Sequence, residues 1–202
     1  MPGTSAAEGN AANDADRAMA RYAEGRDESF AAVYAAVGPR LQRFLRRLCG
    51  ADDVANDLLQ ETLLRMHVAR AAFRPGAAVL PWSYTIARNV FLDRARAAKH
   101  RPVSLDQLEQ GGVPEPTESA RAEGEVLARE AAAAVERALA RMSEARREAF
   151  VLIRFEGLSV ADAAEVLGAS ENAVKLRAFQ AYEAIREELA RLEKTPPPGR
   201  SR

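Results

Sequence analysis

Apolar positions recur at steps of three and four along the first half of the chain, a spacing that predicts helices. The longest run covers residues 30–48, and Gly38-Pro39 within it is expected to kink this helix without ending it. A second helix is predicted to start with Asp52 or Asp53 as its cap. Pro81 suits the first turn of a third helix that continues toward residue 101. The alternation typical of strands is absent from the sequence, so this half is predicted to be helical throughout.

The second half carries a denser helical pattern interrupted by a tight turn. An alanine-rich helix is predicted over about 121–141, and Ser143 is expected to cap the next one. A short helix over 160–167 and a long one over 171–193 then flank Gly168, with Ser170 as the cap of the second. A short helix, a glycine turn and a second helix form the helix-turn-helix arrangement.

Composition divides the chain at its helix breakers. Residues 1–27 lack bulky apolar periodicity, residues 102–120 hold three Pro and two Gly, and TPPPGRSR at the end cannot continue a helix. The predicted fold is all-α, with two small helical domains joined by a flexible linker and a helix-turn-helix in the C-terminal one. The predicted segments are a disordered N-terminal tail (1–27), a first domain (28–101), a flexible acidic linker (102–129), a helix-turn-helix domain (130–194) and a frayed C-terminus (195–202).

Charge is balanced overall and uneven locally. The 202 residues carry 29 basic and 29 acidic side chains, which excludes a uniformly basic nucleic-acid coat. Residues 30–101 nevertheless hold twelve basic and five acidic side chains, a net charge of +7, and residues 102–136 hold two basic and eight acidic ones, a net charge of −6. A basic block beside an acidic one shows that charge is polarised along the chain, which a functional interpretation has to explain.

Chemistry-bearing residues are scarce. One Cys and two His exclude a disulfide framework and a cluster of soft metal ligands. We find no phosphate-cradling glycine loop and no nucleophile motif, so no catalytic residue, no metal site and no cofactor is predicted, and the chain is not expected to be an enzyme. The N-terminus lacks the features of a secretory signal and no stretch is apolar enough to span a membrane, so a cytoplasmic location is expected.

Three surfaces are candidates for binding. The predicted second helix carries a polar stripe with two apolar residues within it, which indicates a protein-binding face, although a solvated face is the simpler alternative. This polar stripe, called the mixed face below, consists of Asp57, Gln60, Glu61 and Arg65 together with the apolar Leu64 and Val68. The third helix mixes aromatic and basic side chains, as surfaces that stack unpaired bases do, with a core role for the aromatic residues as the alternative. Its members are Trp82, Tyr84, Arg88, Asn89, Arg94 and Arg96.

The third surface is the outer face of the helix-turn-helix. Ala164 permits close helix approach, Gly168 permits a left-handed turn, and Val174 is expected to fill the interface between the two helices. The remaining side chains then point to where a major groove would lie, although a plain helical hairpin has the same pattern. These outward residues are Ser170, Glu171, Asn172, Lys175 and Arg177.

Taken together, these motifs resemble a known family. DLLQETLLR (57–65), PWSYTIARNVFLDRAR (81–96), EGLSVADAAEVLG (156–168) and AVKLR (173–177) are similar in order and spacing to the extracytoplasmic-function group of the sigma-70 family of bacterial RNA polymerase. The family usually carries further basic residues where Gln180 and Tyr182 stand in this chain.

The resemblance implies a division of labour. The polar stripe would bind core RNA polymerase. The third helix, with Arg74 in the loop before it, would open the minus-ten promoter element, and the outer residues of the helix-turn-helix would contact the minus-thirty-five element. Promoter DNA and an anti-sigma factor are the other implied partners. Two alternatives stay open at this point: a stand-alone helix-turn-helix regulator, and a sigma-like decoy that only binds proteins.

Overall fold

The computed structural model describes residues 4–100 and 122–194, and it contains helices and no strand within those ranges. The helices are α1 (Thr4–Ala23), α2 (Phe30–Cys49), α3 (Asp52–Ala69), α4 (Val79–His100), α5 (Ala122–Arg141), α6 (Glu144–Phe150), α7 (Val160–Leu167) and α8 (Glu171–Lys194). The all-α prediction is confirmed. The predicted linker over 102–129 lies outside the described residues as far as 121, and residues 122–129 form the start of α5 rather than linker.

Helices α2, α3 and α4 pack on one another as the N-terminal domain. Helix α2 continues through Pro39 as predicted, and it ends at Gly50 in the left-handed conformation. At the start of α3 the prediction was wrong by one residue: Ala51 occupies the capping position, and both aspartates lie in the first turn. Their carboxylates still favour the helix N-terminus electrostatically. The interior of this domain is formed by Val33, Val37, Leu41, Phe44, Leu45, Leu48, Leu58, Met66, Tyr84 and Val90.

Helix α1 contradicts the prediction of a disordered N-terminal tail. It packs on α2 and α4, and buries Ala15, Ala18, Met19 and Tyr22 on one face. Asp16 of the same helix accepts a hydrogen bond of 2.7 Å from the backbone N–H of Val79, at the start of α4. That N–H has no partner within its own helix, so α1 caps α4 as well as covering the core.

The C-terminal domain is built from α5 to α8. Helices α5 and α6 both pack on α8 around Ala138, Leu139, Phe150, Ala181 and Ile185. Ser143 stands at the capping position of α6 without a side-chain hydrogen bond. Helix α6 widens into a π-helical turn at Val151–Phe155, closed by a hydrogen bond from the N–H of Glu156 to the carbonyl of Val151. This wide turn places Glu156 at the side of the domain that faces α2 and α4.

The two domains share one continuous hydrophobic core. Helix α7 packs on α4, and α6 with its π-helical turn packs on α2. Leu152, Ala163 and Val166 from the C-terminal domain belong to the same buried cluster as Phe44 and Tyr84 from the N-terminal domain. The described domains are therefore docked on one another.

Candidate protein and nucleic-acid interfaces

Helix α3 presents the predicted mixed face on its outer side. Leu58, Leu59 and Met66 point inward and are buried, whereas Leu64 and Val68 are 57% and 74% exposed. Asp57 and Gln60 are exposed beside them, and Glu61 is half-buried. Large apolar side chains left in solvent next to polar ones are typical of a surface that binds another protein.

Arg65 links this face of α3 to α4 through hydrogen bonds. Its Nε donates to Glu61 at 2.8 Å, and its Nη1 donates to Asp93 of α4 at 2.6 Å. These hydrogen bonds raise the pKa of Arg65, and the one to Asp93 lowers the pKa of that carboxyl. Asp57 is linked to α4 in the same way by Arg94 at 3.4 Å. The structure thus gives Arg65 and Asp57 partners within the domain, and leaves Gln60 and Leu64 facing solvent.

The two aromatic side chains predicted on α4 lie in different environments. Trp82 is half-buried, with its ring edge-on to that of Phe73 at 5.3 Å between centroids. Tyr84 differs from the prediction of a base-stacking residue, because it is 0% exposed. Its ring packs edge-on against Phe44 at 5.1 Å, and its hydroxyl donates to Glu156 at 2.7 Å. In this arrangement Tyr84 is a core residue.

The basic and amide side chains predicted to contact DNA from α4 fall into two groups, one bound to the C-terminal domain and one exposed to solvent. Arg88 is half-buried, and its Nε donates to Glu148 of the C-terminal domain at 2.9 Å. Asn89, Arg94 and Arg96 are exposed, and Arg96 pairs with Asp93 at 3.1 Å. Arg74 is exposed in the loop before α4. Asn89, Arg94 and Arg96 on α4, with Arg74 in the loop before it, form the surface that is open to an anionic ligand.

The helix-turn-helix follows the predicted geometry. The Ser159 hydroxyl accepts a hydrogen bond from the N–H of Asp162 at the start of α7, and the Ser170 hydroxyl accepts one from Ala173 at the start of α8. Gly168 has φ 58°, a conformation that residues with a Cβ rarely adopt. Val174 is fully buried between the two helices.

The outer face of α8 is open to solvent. Ser170, Glu171, Asn172 and Lys175 are exposed, and Arg177 is half-buried. Lys175 pairs along the helix with Glu171 at 3.4 Å. A single exposed pair of this kind holds its side chains only weakly, so Lys175 remains free to contact a phosphate or a base.

The prediction missed the residues through which the domains meet. Glu148 and Glu156 are both buried, and Glu156 pairs with Arg47 of α2 at 3.4 Å. The sequence contains one signal of this: both glutamates stand inside or at the end of an apolar run, REAFVLIRFEG, where a charged side chain needs a partner. The identity of that partner depends on docking and has no local signature.

An open, largely apolar groove of about 380 Å³ adjoins the mixed face of α3. It is lined by Tyr22, Asp27, Phe30, Leu63, Leu64 and His67. The hydroxyl of Tyr22 lies within hydrogen-bond distance of Nδ1 of His67, which joins α1 to α3 across the groove. Because one wall belongs to α1, the groove could not be predicted once the N-terminus was assigned to a tail.

Two negative findings apply to the described ranges, 4–100 and 122–194. No group of three or more His, Cys, Asp or Glu residues there has an arrangement that could hold a metal ion. None of the helices there combines the length and the hydropathy that a membrane span requires.

Family models place two regions on this chain. The model described as Sigma-70 region 2 matches residues 33–101, which cover α2, α3 and α4. The model described as Sigma-70, region 4 matches residues 132–185, from α5 into α8. The mixed face of α3 and the basic face of α4 thus fall in the first match, and the helix-turn-helix falls in the second.

Curated relatives and solved structures agree with these matches. The RNA polymerase sigma factor CarQ of Myxococcus xanthus is 32% identical over 87% of this chain and 97% of its own length. The ECF RNA polymerase sigma factor SigM of Mycobacterium tuberculosis is 36% identical over 76% of this chain and 71% of its own length.

Among solved structures, the sigma factor RpoE in complex with the anti-sigma factor NepR from Bartonella quintana has a TM-score of 0.67 and 26% identity, and covers 81% of this chain and 98% of its own. CnrH in complex with the cytosolic domain of CnrY has a TM-score of 0.63 and 26% identity, with 91% of this chain and 99% of its own covered. The chain described here therefore belongs to the extracytoplasmic-function group of the sigma-70 family, and it is an RNA polymerase sigma factor whose two helical domains are regions 2 and 4.

Proposed function

We propose that this sigma factor uses a different face for each step of promoter recognition. The mixed face of α3 binds core RNA polymerase, the exposed part of α4 contacts the opened minus-ten element, and the outer face of α8 contacts the minus-thirty-five element. The observation that carries the proposal is the exposure of Leu64 and Val68 one helical turn apart beside Gln60, since adjacent apolar side chains with polar neighbours are typical of an interaction site. The chain acts by binding, in the cytoplasm, and performs no chemistry of its own.

The polymerase face is tested by replacing Gln60 and Glu61 with Ala. We expect the affinity for core polymerase to fall by about 1–3 kcal/mol, as for residues at the centre of an interface. Folding should be preserved, because Gln60 is exposed and Glu61 has only the helical pair with Arg65. Asp53→Asn on the same helix is the matched control, since Asp53 is exposed and lies in the first turn. Unchanged binding of the Gln60 and Glu61 variant in a titration against core polymerase would remove this assignment.

The promoter face of α8 is tested through Lys175 and Arg177. Each Ala substitution should lower run-off transcription without altering polymerase binding. A phosphate contact would lower the use of all promoters evenly, whereas a base contact would relax preference at one position. Because this helix carries few basic residues, duplex binding should depend only weakly on salt. Each phosphate contact contributes about −0.9 to the slope of log affinity against log salt concentration. Tight, sequence-specific duplex binding by the free chain would contradict the proposal.

The minus-ten face is tested at Trp82. Stacking on an unpaired base contributes about 1–3 kcal/mol and exists only after strand separation. Trp82→Ala should therefore reduce promoter opening, measured by permanganate footprinting, more than it reduces closed-complex formation. Because Trp82 also packs on Phe73, thermal unfolding must be measured in parallel. Normal opening with lowered stability would assign Trp82 to the core alone.

The partners complete the proposal. RpoE and CnrH are described in complex with an anti-sigma factor and with the cytosolic domain of CnrY, and we extend an anti-sigma partner to this chain. A stand-alone helix-turn-helix regulator is not favoured, because residues 33–101 match region 2 in addition to the helix-turn-helix. Run-off transcription with core polymerase also separates an initiation factor from a decoy, since a decoy gives no transcript.

A further inference from the structure

Two buried carboxylates of the C-terminal domain have their partners on the N-terminal domain. Glu148 is 2% exposed, and its Oε1 accepts from Nε of Arg88 at 2.9 Å. Glu156 accepts from the Tyr84 hydroxyl at 2.7 Å and pairs with Nη1 of Arg47 at 3.4 Å. Among the described residues, neither carboxylate makes a side-chain hydrogen bond or an ion pair within its own domain. The contacts of these two groups are therefore contacts between domains.

Further contacts surround this pair of carboxylates. Arg40 lies with its Nη1 3.5 Å from the carbonyl oxygen of Glu156, and the Arg47 guanidinium lies 4.1 Å from the centre of the Phe155 ring. Apolar packing between α4 and α7 extends the interface. The C-terminal domain thus covers a basic face of the N-terminal domain, formed by Arg40 and Arg47 on α2 and by Arg88 on α4.

The covered face includes Arg88, which the family resemblance assigns to the minus-ten element, although the contact with Glu148 keeps Arg88 out of the exposed part of α4 in the closed arrangement. A guanidinium binds carboxylate and phosphate oxygens through the same charge-assisted hydrogen bonds, so it cannot serve both ligands at once. We propose that Glu148 and Glu156 close the two domains on each other, and that the phosphates of promoter DNA and these carboxylates compete for the basic face. This inference rests on the proposed function for the identity of the competing ligand.

The energetics favour a contact that can open. Burial raises the pKa of Glu148 even though Arg88 opposes the shift, so removing this carboxylate from water costs more than its pairing recovers. Burial likewise lowers the pKa of Arg47, despite the neighbouring Glu156. Buried ion pairs contribute little net stability for this reason, although removing one partner leaves the other uncompensated. Once a phosphate binds Arg88, Glu148 has no partner in the closed interface, and its carboxylate is more stable in water.

The test uses the full chain with Glu148→Gln and Glu156→Gln combined. The probe is a fluorescent single-stranded DNA of mixed sequence, about 20 nucleotides long, and binding is read by anisotropy. We expect the double variant to bind at least about tenfold more tightly than wild type, with a slope of log affinity against log salt steeper by about 0.7 for each arginine released. Small-angle scattering without DNA should show a larger radius of gyration for the variant than for wild type.

The matched control is Glu165→Gln combined with Glu187→Gln. It removes two charges from the same domain at exposed positions, where the described residues provide no hydrogen bond or ion pair to either side chain. It should retain the wild-type radius and gain little DNA affinity. Equal DNA binding and salt slopes for the two double variants would overturn the competition, and equal radii would overturn the role of Glu148 and Glu156 in closing the domains.

A second variant covers the case in which the first does not fold. Arg47→Gln breaks the contact with Glu156 from the N-terminal domain, so it should enlarge the radius of gyration as well. Only the radius is measured for this variant, because Arg47 belongs to the basic face for which DNA competes. A wild-type radius for this folded variant would overturn the role of the Arg47–Glu156 contact in closing the domains. Run-off transcription by wild type judges the proposed function separately, since the scattering experiment contains neither polymerase nor DNA.

Discussion

The hydroxyl of Tyr84 offers a clean way to measure what holds the domains together. Replacing Tyr84 with Phe removes one oxygen and keeps the ring, which packs on Phe44 at 5.1 Å. The lost hydrogen bond is the 2.7 Å contact to Oε2 of Glu156. Arg47 remains paired with the other oxygen of that carboxylate, so the variant does not leave Glu156 without a partner.

The expected magnitude follows from the type of bond and its burial. Tyr84 is fully buried, and burial raises the pKa of its hydroxyl, so it remains a neutral donor at physiological pH. A hydrogen bond to a charged acceptor contributes about 1.5–3 kcal/mol to stability. Tyr84→Phe should therefore lower the free energy of unfolding by about that amount.

Urea unfolding followed by Trp82 fluorescence and by far-ultraviolet circular dichroism measures this loss, since Trp82 is the sole tryptophan of the chain. Tyr34→Phe is the control, because Tyr34 is 45% exposed and its hydroxyl has no partner within the described ranges. The control should lie within about 0.5 kcal/mol of wild type.

A double-mutant cycle with Glu156→Gln isolates the pair, and residues in direct contact should couple by at least about 0.5 kcal/mol. If Tyr84→Phe is as mild as the control and shows no coupling, the reasoning that this hydrogen bond joins the domains is refuted.

Three further changes test separate parts of the structure. Met19→Ala should lower the free energy of unfolding by about 2–5 kcal/mol, because Met19 is fully buried on α1. Arg21→Ala is the control and should change this free energy little, since Arg21 is exposed on the same helix. Equal effects of the two substitutions in urea titrations would show that α1 does not pack on the domain. Gly168→Ala should cost about 1–2 kcal/mol in thermal unfolding, since φ 58° strains a residue with a Cβ, and an unchanged melting temperature would contradict that geometry. Burial raises the pKa of the Cys49 thiol, so alkylation by iodoacetamide at about pH 8 should be slower than for a free thiol until urea is added, and equal rates in the folded chain would contradict the burial.

Local sequence signals determined most of the helices. The short helix over 160–167 was predicted with the bounds that the structure has, because Ser159 caps its first turn and Gly168 ends it within a few residues. The cap at Ser170 and the buried Val174 followed from the same local rules. Such signals succeed because the interactions they describe form between residues close in the chain, so no knowledge of the tertiary fold is needed.

Helix α1 was missed although its buried face is written in the sequence. Ala15, Ala18, Met19 and Tyr22 recur at steps of three, one and three, which is one face of a helix. Alanine adds little to an apolar pattern, and the polar residues around it outweighed the signal. The hydrogen bond from Val79 to Asp16, 63 positions away, belongs to the tertiary structure alone.

The binding surfaces also combine features that the sequence determines with features that only the tertiary structure decides. The sequence by itself determined which residues are candidates for binding, since exposure of Gln60, Leu64 and Lys175 follows from helical spacing. Only the tertiary structure decided that Tyr84 is buried and that Arg88 meets Glu148. A helix face can be assigned from its period, whereas the partner of a buried charge depends on which distant helix packs against it, and that choice is made by the whole core.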